Sequence, residues 1–304
     1  MPVNGSGWIG YRRNQNNEKT GKAFSLMGPG VIPAAIGSPG GEESSLIAKY
    51  STVSLAYSVV VPVRNEAGNI ASLIAEISAV MAGLDAAYEI IYVDDGSTDE
   101  TTAVLGEQAK GCPELRIIRH AASAGQSAAI ITGINRALAP TIITLDGDGQ
   151  NDPADIPKLL AAFAADADRD RLLVAGQRTR RQDPWLKRMS SKIANAVRAS
   201  LLGDGTPDTG CGLKVFSRVA FNAMPAFDHM HRFLPTLMLR LGGRVLSVPV
   251  NHRSRLEGVT KYGLFDRLGV GIVDLFGVWW LKRRAARPEI ESDSGRGKNG
   301  DRDA

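Results

Sequence analysis

Residues Ile142 to Pro153 read IITLDGDGQNDP and join a buried strand to a polar turn. The apolar run that opens the stretch is short and β-branched, which is typical of a strand buried on both faces. Asp146, Asp148 and Gln150 follow it, so oxygen ligands stand on a tight turn at the carboxyl end of the strand. Such ligands suit a hard divalent cation, Mg²⁺ or Mn²⁺. Taken alone, the same residues also fit a polar turn that begins a helix.

Two strands upstream end in polar residues in the same way. One ends at Pro62 with Glu66 close behind, and the next ends at Val93 with Asp95 behind it. Apolar residues at helical spacing separate the strands, and this alternation predicts a mostly parallel sheet with helices on both faces. Ligands bind outside the carboxyl ends of such strands. We therefore expect these residues and the turn in 142–153 to converge on one site.

Composition and loop patterns exclude several classes of protein. No GxGxxG follows the first predicted strand and no GxxxxGK[ST] occurs, which excludes the usual dinucleotide fold and the P-loop. Lys and Arg number 36 against 32 Asp and Glu, and the net charge of +4 is too small to indicate nucleic acid as a partner. The two cysteines lack zinc-type spacing. No run reaches the roughly 20 apolar residues of a membrane-spanning helix.

Composition also predicts the domain boundaries. Residues 1–54 are rich in Gly, Ser, Asn and Pro, and residues 287–304 are polar and charged, so we predict a disordered leader and a disordered tail. An α/β domain should occupy residues 55–266. An amphipathic, juxtamembrane helix should follow at 267–286, where aromatic residues precede three cations, a pattern that suits a membrane interface. Packing of this helix on the domain is the alternative.

Four segments resemble a family 2 glycosyltransferase of the GT-A fold, which is Rossmann-like with a mostly parallel sheet. They are VVVPVRNE (59–66), IIYVDDGSTD (90–99), LDGDGQNDP (145–153) and RLEGVTKYG (255–263). Within that family the chain is similar to dolichyl- and polyprenyl-phosphate mannosyl- and glucosyltransferases. The resemblance implies a metal-dependent, inverting hexosyltransferase of the cell envelope. Its donor would be a nucleotide-diphosphate sugar of the GDP-mannose or UDP-glucose type, and its acceptor a polyprenyl or dolichyl phosphate.

The resemblance also implies which residues meet the donor. Those implied to line the nucleoside pocket are Pro62, Glu66, Val93 and Asp95. Those implied to hold the metal that bridges the diphosphate are Asp146, Asp148 and Gln150. Gly147 is small enough to let the diphosphate approach the turn closely. Arg178 would face the donor phosphates or the sugar.

On the acceptor side, Arg255 and Lys261 resemble the basic pair with which the family grips a phosphate. Two cations on one loop can converge on a single anion. A phosphate monoester with a second pKa of ~6 is largely ionised at neutral pH, so this acceptor needs cations rather than a catalytic base. Asp208 matches a position near the family's acceptor site, and we assign it no proton transfer.

Some positions depart from the family pattern, and two alternatives stay open. Arg64 stands where Tyr is common, and Lys214 stands near a usual Arg. The first alternative is transfer to a sugar or other hydroxyl in cell-envelope polysaccharide synthesis. The second is an inactive scaffold that binds nucleotide-sugar. A lipid acceptor implies a cytoplasmic enzyme that is peripherally associated with the inner face of the cell membrane, with the membrane surface as a partner.

Overall fold

The computed structural model describes residues 54–179, 198–253 and 264–284, with the side chains of 264–270 excepted. Within these ranges the strands are β1 (Tyr57–Val63), β2 (Tyr88–Asp94), β3 (Leu115–Arg119), β4 (Thr141–Thr144), β5 (Leu172–Arg178), β6 (Lys214–Ser217) and β7 (Arg244–Val250). The α-helices are α1 (Ala67–Ala82), α2 (Thr101–Gly111), α3 (Gln126–Arg136), α4 (Ile156–Ala164), α5 (Arg218–Asn222), α6 (Leu234–Arg240) and α7 (Leu264–Arg283). Residues 198–202 are also helical, and short 3-10 turns lie at Pro153–Asp155, Arg169–Arg171 and Met230–Arg232.

The strands form one sheet in the order β3-β2-β1-β4-β6-β5-β7. β6 is antiparallel to both of its neighbours, and the other pairs are parallel, so the sheet is mostly parallel as the sequence predicts. Lys214, where β6 begins, pairs with Thr144 at the end of β4. The reversed strand therefore starts at the rim where its parallel neighbours end.

The apolar runs of the central strands supply two cores, one on each face of the sheet. Val59 and Val61 of β1 belong to the core that includes α1 and α4, whereas Val60 belongs to the core that includes α3, α5 and α6. Successive residues of a strand point to opposite faces, so a strand covered on both sides must be apolar throughout. This two-sided burial explains why the strands were readable as continuous apolar runs.

Helix α7 packs on the domain with one face and leaves another face exposed, so its predicted place at a membrane interface stays a prediction. One face packs against the core of α3, α5 and α6 through Leu275, Val278 and Trp279. Another face leaves four large apolar side chains between 55% and 71% exposed: Ile272, Val273, Phe276 and Trp280. Among the described residues, no helix has both the length and the hydropathy needed to cross a membrane. The helix begins at Leu264, which is earlier than predicted. Of the predicted leader, residues 1–54, only Ser54 is described. The predicted tail, residues 287–304, lies outside the described residues, as do the last two residues of the predicted helix, 285 and 286.

Candidate functional site

A cleft of about 600 Å³ opens at the rim where β1, β2, β4 and β5 end and β6 begins. The predicted site residues that line it are Pro62, Glu66, Asp95, Asp146, Gly147, Asp148, Gln150 and Arg178. Val93 and Asp208 are not among the lining residues. The Val93 side chain is fully buried in the core that includes α3. The rim of the sheet thus brings together most of the residues that the sequence placed in one site.

The turn after β4 presents two carboxylates to the cleft. Asp146 Oδ1 accepts a hydrogen bond from Gln126 Nε2 at 2.9 Å, and Asp148 Oδ1 accepts one from the Gln150 backbone N–H at 3.1 Å. Burial and the neighbouring Asp148 carboxylate raise the pKa of Asp146 to about 6, although Lys214 and Arg178 act in the opposite direction. The repulsion that raises the pKa of Asp146 is one that a bound cation would relieve.

The donor set of this turn fits Mg²⁺ or Mn²⁺. Asp146, Asp148 and the Gln150 side chain offer the oxygen donors that these ions prefer. No cluster of three or more His, Cys, Asp and Glu side chains within the described ranges could hold a metal. Mg²⁺ is commonly held by one or two carboxylates together with substrate phosphates, so a two-carboxylate turn is sufficient.

Two glycines allow this turn to pack closely, and for one of them the structure adds a reason to the sequence-based one. A Cβ on Gly147 would overlap Val63 and crowd the Pro62 carbonyl, so this glycine permits contact with β1, and the approach of a diphosphate to it stays a prediction. Gly212, just before β6, was not singled out from the sequence. A Cβ there would overlap the Asp146 carboxylate. The absent side chain at each position faces protein atoms, and neither orientation is visible in a sequence.

Asp95 fastens the start of α3 to the rim of the sheet. Its two oxygens accept hydrogen bonds from His120 Nδ1 (2.8 Å), Ser123 Oγ (2.7 Å), Ala124 N (2.8 Å) and Gly125 N (2.9 Å). Burial alone would raise the pKa of Asp95, but these hydrogen bonds lower it below its usual value. The carboxylate thereby holds the segment from which Gln126 reaches Asp146. This positioning role adds to the nucleoside contact predicted from the sequence.

Arg178 and Asp208 form a bidentate ion pair at the other side of the cleft. Arg178 Nε donates to Asp208 Oδ2 at 2.6 Å, and a terminal guanidinium nitrogen donates to Oδ1 at 2.7 Å. The side chains are 16% and 8% exposed. Burial lowers the pKa of Arg178, but the hydrogen bond and charge of Asp208 outweigh it and raise the pKa overall. Asp208 therefore holds the Arg178 guanidinium at the cleft.

Lys214 adds a second cation to this side. It lines the cleft at the start of β6, and its Nζ donates to the Cys211 carbonyl. Burial lowers the pKa of Lys214 below its usual value, and the charges of Cys211, Asp146 and Asp208 only partly offset this effect. The loosely matched position noted in the sequence is therefore a cleft residue.

Several lining residues were missed by sequence reasoning, namely Gln126, His231, Arg232 and Leu234. Gln126 begins α3, just beyond the third strand, so the strand-end rule extended by one unit would have found it. His231 carries no such signal. It is 104 residues away from Ser127, to which its side chain is hydrogen-bonded at 2.8 Å.

The predicted phosphate-binding pair, Arg255 and Lys261, lies outside the described residues. The described chain reaches Arg253, which binds Glu76 at 2.5 Å and Asp152 at 2.7 Å. The Arg253 backbone N–H also donates to the Gln150 carbonyl at 3.0 Å. The segment that leads to the pair is thus fixed to the turn that carries the aspartates.

Comparison with known proteins places the chain among sugar transferases. Residues 58–224 match the family model described as Glycosyl transferase family 2. The chain is 34% identical over 242 residues to dodecaprenyl-phosphate galacturonate synthase of Rhizobium johnstonii, covering 77% of this chain and 70% of that protein. It is 34% identical over 209 residues to undecaprenyl-phosphate 4-deoxy-4-formamido-L-arabinose transferase of Sodalis glossinidius, covering 68% of this chain and 63% of that protein.

Solved structures share the fold. A mannosyltransferase of Pyrobaculum calidifontis, in complex with GDP-Man and Mn²⁺, has a TM-score of 0.55 at 21% identity and covers 78% of this chain and 67% of its own. Glucosyl-3-phosphoglycerate synthase of Mycobacterium tuberculosis, in complex with Mn²⁺, UDP and its glucosylated product, has a TM-score of 0.55 at 20% identity, covering 84% and 88%. The GT-A fold predicted from the sequence is confirmed.

Proposed function

Because this chain belongs to glycosyl transferase family 2, we propose that it transfers a sugar from a nucleotide-diphosphate donor to a polyprenyl phosphate. The observation that carries the proposal is the pairing, in one cleft, of the Asp146–Asp148 turn with the cations of Arg178 and Lys214. A metal-binding turn suits a diphosphate, and cations suit an acceptor phosphate. Both relatives are named for products or reactions on a polyprenyl phosphate.

The residues of the cleft divide the work of the reaction. When bound at Asp146, Asp148 and Gln150, Mg²⁺ or Mn²⁺ supplies Lewis-acid stabilisation of the charge that develops on the leaving nucleoside diphosphate. Gln126 holds the Asp146 carboxylate in place through its hydrogen bond. Arg178, held by Asp208, and Lys214 present positive charge to the cleft, where it would attract the acceptor phosphate as well as the donor phosphates that the sequence assigns to Arg178. We propose that Arg255 and Lys261 complete this acceptor site.

A lipid acceptor needs no carboxylate base, which fits how Asp95 and Asp208 are used. Asp95 lines the cleft and accepts four hydrogen bonds from protein groups, and Asp208, which does not line it, is paired with Arg178. A phosphate with a second pKa of ~6 is already ionised at neutral pH, so it attacks without losing a proton to the protein. A hydroxyl acceptor would instead require a base within hydrogen-bonding reach.

The function is tested by offering the purified full chain labelled UDP- and GDP-sugars with undecaprenyl phosphate in vesicles. We expect Mn²⁺- or Mg²⁺-dependent transfer of label into the lipid phase, and EDTA should abolish it. Transfer only to sugar or other hydroxyl acceptors would contradict the lipid acceptor. Binding of nucleotide-sugar without any turnover would support the inactive scaffold. The donor that is consumed identifies the nucleobase and the sugar that the enzyme uses.

We further propose that the enzyme attaches peripherally to the inner face of the cell membrane through α7. The exposed apolar stripe of Ile272, Val273, Phe276 and Trp280 is followed by three cations, Lys282, Arg283 and Arg284. A helix with an apolar face and a basic end lies in the interface of an anionic membrane. Arg283 stacks 4.2 Å from the ring centre of Trp279, which places a cation beside the apolar stripe.

Flotation with vesicles tests this attachment. The double variant F276S/W280S should lose association with phosphatidylglycerol vesicles by tenfold or more, since burying each large apolar side chain contributes about 1.5–3 kcal/mol. The matched control is Val219→Ser, which changes an apolar side chain that is 66% exposed on α5. Equal flotation of the double variant and the control would remove α7 from the interface.

A further inference from the structure

His231 lines the cleft on a 3-10 turn, and both its side chain and its backbone contact the hydroxyl of Ser127. Its Nδ1 is 2.8 Å from Ser127 Oγ, and its backbone N–H donates to the same oxygen at 3.2 Å. Within the described residues, the Ser127 hydroxyl has no other hydrogen-bond partner to which its proton could go. The hydroxyl therefore donates to Nδ1, and the imidazole carries its own proton on Nε2.

The ring is neutral, and its Nε2–H is available. Burial lowers the pKa of His231 to about 3, and the nearby positive charges of Arg232 and Lys214 act in the same direction. In the described part of the chain, Nε2 makes no hydrogen bond, and it is not among the buried polar atoms that lack a partner. The atom is therefore open to the cleft that His231 lines.

The surroundings of His231 indicate which part of a substrate it meets. Ser127, which orients the ring, directly follows Gln126, and Gln126 binds the Asp146 carboxylate. Lys214 acts electrostatically on both His231 and Asp146. The imidazole thus lines the same cleft as the turn proposed to hold the diphosphate, and the two are linked through the neighbouring residues Ser127 and Gln126. The ribose and the sugar of such a donor both adjoin its diphosphate and carry hydrogen-bond acceptors. Because Pro62, Glu66 and Asp95 are the residues predicted for the nucleoside, the sugar is the portion left to His231.

We propose that His231 is a specificity-determining residue whose Nε2–H donates a hydrogen bond to an oxygen of the transferred sugar, with Ser127 as its positioning residue. This inference rests on the proposed function. A fixed neutral donor selects a sugar that places a hydroxyl or carboxylate oxygen opposite it. It rejects an epimer or deoxy sugar that leaves the N–H unpaired.

The test compares two ligands that differ only by the sugar. Affinities of the full chain for UDP and UDP-sugars, and for GDP and GDP-mannose, are measured with Mn²⁺ by calorimetry. For the pair that wild type binds, His231→Ala should weaken the nucleotide-sugar about tenfold and leave the nucleoside diphosphate unchanged. His231→Gln keeps an N–H donor near the same place and should recover part of the loss. Ser127→Ala should give a smaller loss in the same direction.

A matched control lies two residues away. His229 is on the same segment but binds Asp274 of α7 at 2.9 Å and does not line the cleft, so His229→Gln should change neither affinity. Equal weakening of both ligands by His231→Ala, or of neither, would overturn the inference while leaving the proposed function in place. So would a sugar-specific loss in His229→Gln, because the fold of the segment would then be its cause. Failure of wild type to bind any nucleoside diphosphate would instead overturn the proposed function, and the inference with it.

Discussion

The two sides of the cleft hold their functional groups by different means. Behind β2 and β4, carboxylates are held by nearby backbone N–H groups, as when Asp148 accepts from Gln150 or Asp95 from Gly125. At β5 and β6, buried cations are held by a carboxylate and a carbonyl, Asp208 for Arg178 and Cys211 for Lys214. On the first side, losing the Asp148 side chain should remove chemistry and leave the fold intact, because its partner lies only two residues away. On the second side, losing one member of a charge pair should weaken the fold itself.

The largest effect is expected on the first side. Asp148→Ala removes half of the carboxylate pair, and we expect the metal-dependent transfer rate to fall roughly 10³-fold, because the lost stabilisation amounts to several kcal/mol. Initial rates against Mn²⁺ concentration measure this. Asp152→Asn, on the same turn but paired with Arg253, is the control and should keep its Mn²⁺ response. An unchanged rate in Asp148→Ala would remove the metal assignment.

The next effect belongs to the second side and concerns stability. Asp208→Ala leaves the Arg178 guanidinium buried without its partner, and we expect unfolding free energy to fall by about 3 kcal/mol. Urea denaturation measures it. Glu107→Ala breaks the exposed pair with Lys110, in which both side chains are about 70% exposed, and should change almost nothing. A fully stable Asp208→Ala variant would show that this ion pair does not stabilise the fold.

A third prediction concerns the place where the two sides touch. Gly212→Ala forces a Cβ into the Asp146 carboxylate, and we expect Mn²⁺ affinity to fall about 10–100-fold, as for other disturbed supports of metal ligands. Mn²⁺ titration followed by calorimetry checks it. Gly106→Ala, within α2 and with no atom in reach of the new Cβ, should leave Mn²⁺ binding alone and raise stability by about 0.5–1 kcal/mol. Equal affinities in the two variants would show that the Asp146 carboxylate can move without cost.

The smallest effect is a pH dependence of stability from His231. Its pKa is lowered in the folded chain to about 3 from 6.5, so the unfolded chain binds the extra proton between these values. Stability from this residue is therefore full above pH 6.5 and is lost as the pH falls, by about 2 kcal/mol at pH 5. Urea midpoints at pH 7 and pH 5 should differ less in His231→Gln than in wild type. An identical pH response would mean that the ring takes up its proton in the folded state.

Sequence reasoning succeeded where one strand and its own turn determine the arrangement. Continuous apolar runs that alternate with segments of helical spacing predicted the sheet. The rule that parallel strands end at one rim predicted that Pro62, Asp95 and Asp146 line one cleft. It failed where geometry depends on distant segments. The direction of a missing Cβ at Gly147 depends on how the turn meets β1. The pairs Arg178–Asp208 and Ser127–His231 join residues 30 and 104 positions apart, with no periodic signal linking them.

The reversed direction of β6 determines which insertions in the chain would change the cleft. For the parallel strands β1, β2, β4 and β5, the segment that borders the cleft follows the strand in sequence. For β6 it is the segment that precedes the strand, which begins at Lys214. Lengthening the connection before β6 would reshape the wall opposite the aspartates. Lengthening the chain near Ser217 would enlarge the far rim and leave the cleft as it is. Insertions on the amino-terminal side of β6 should therefore change the acceptor preference, whereas for the parallel strands the corresponding insertions lie on the carboxyl-terminal side.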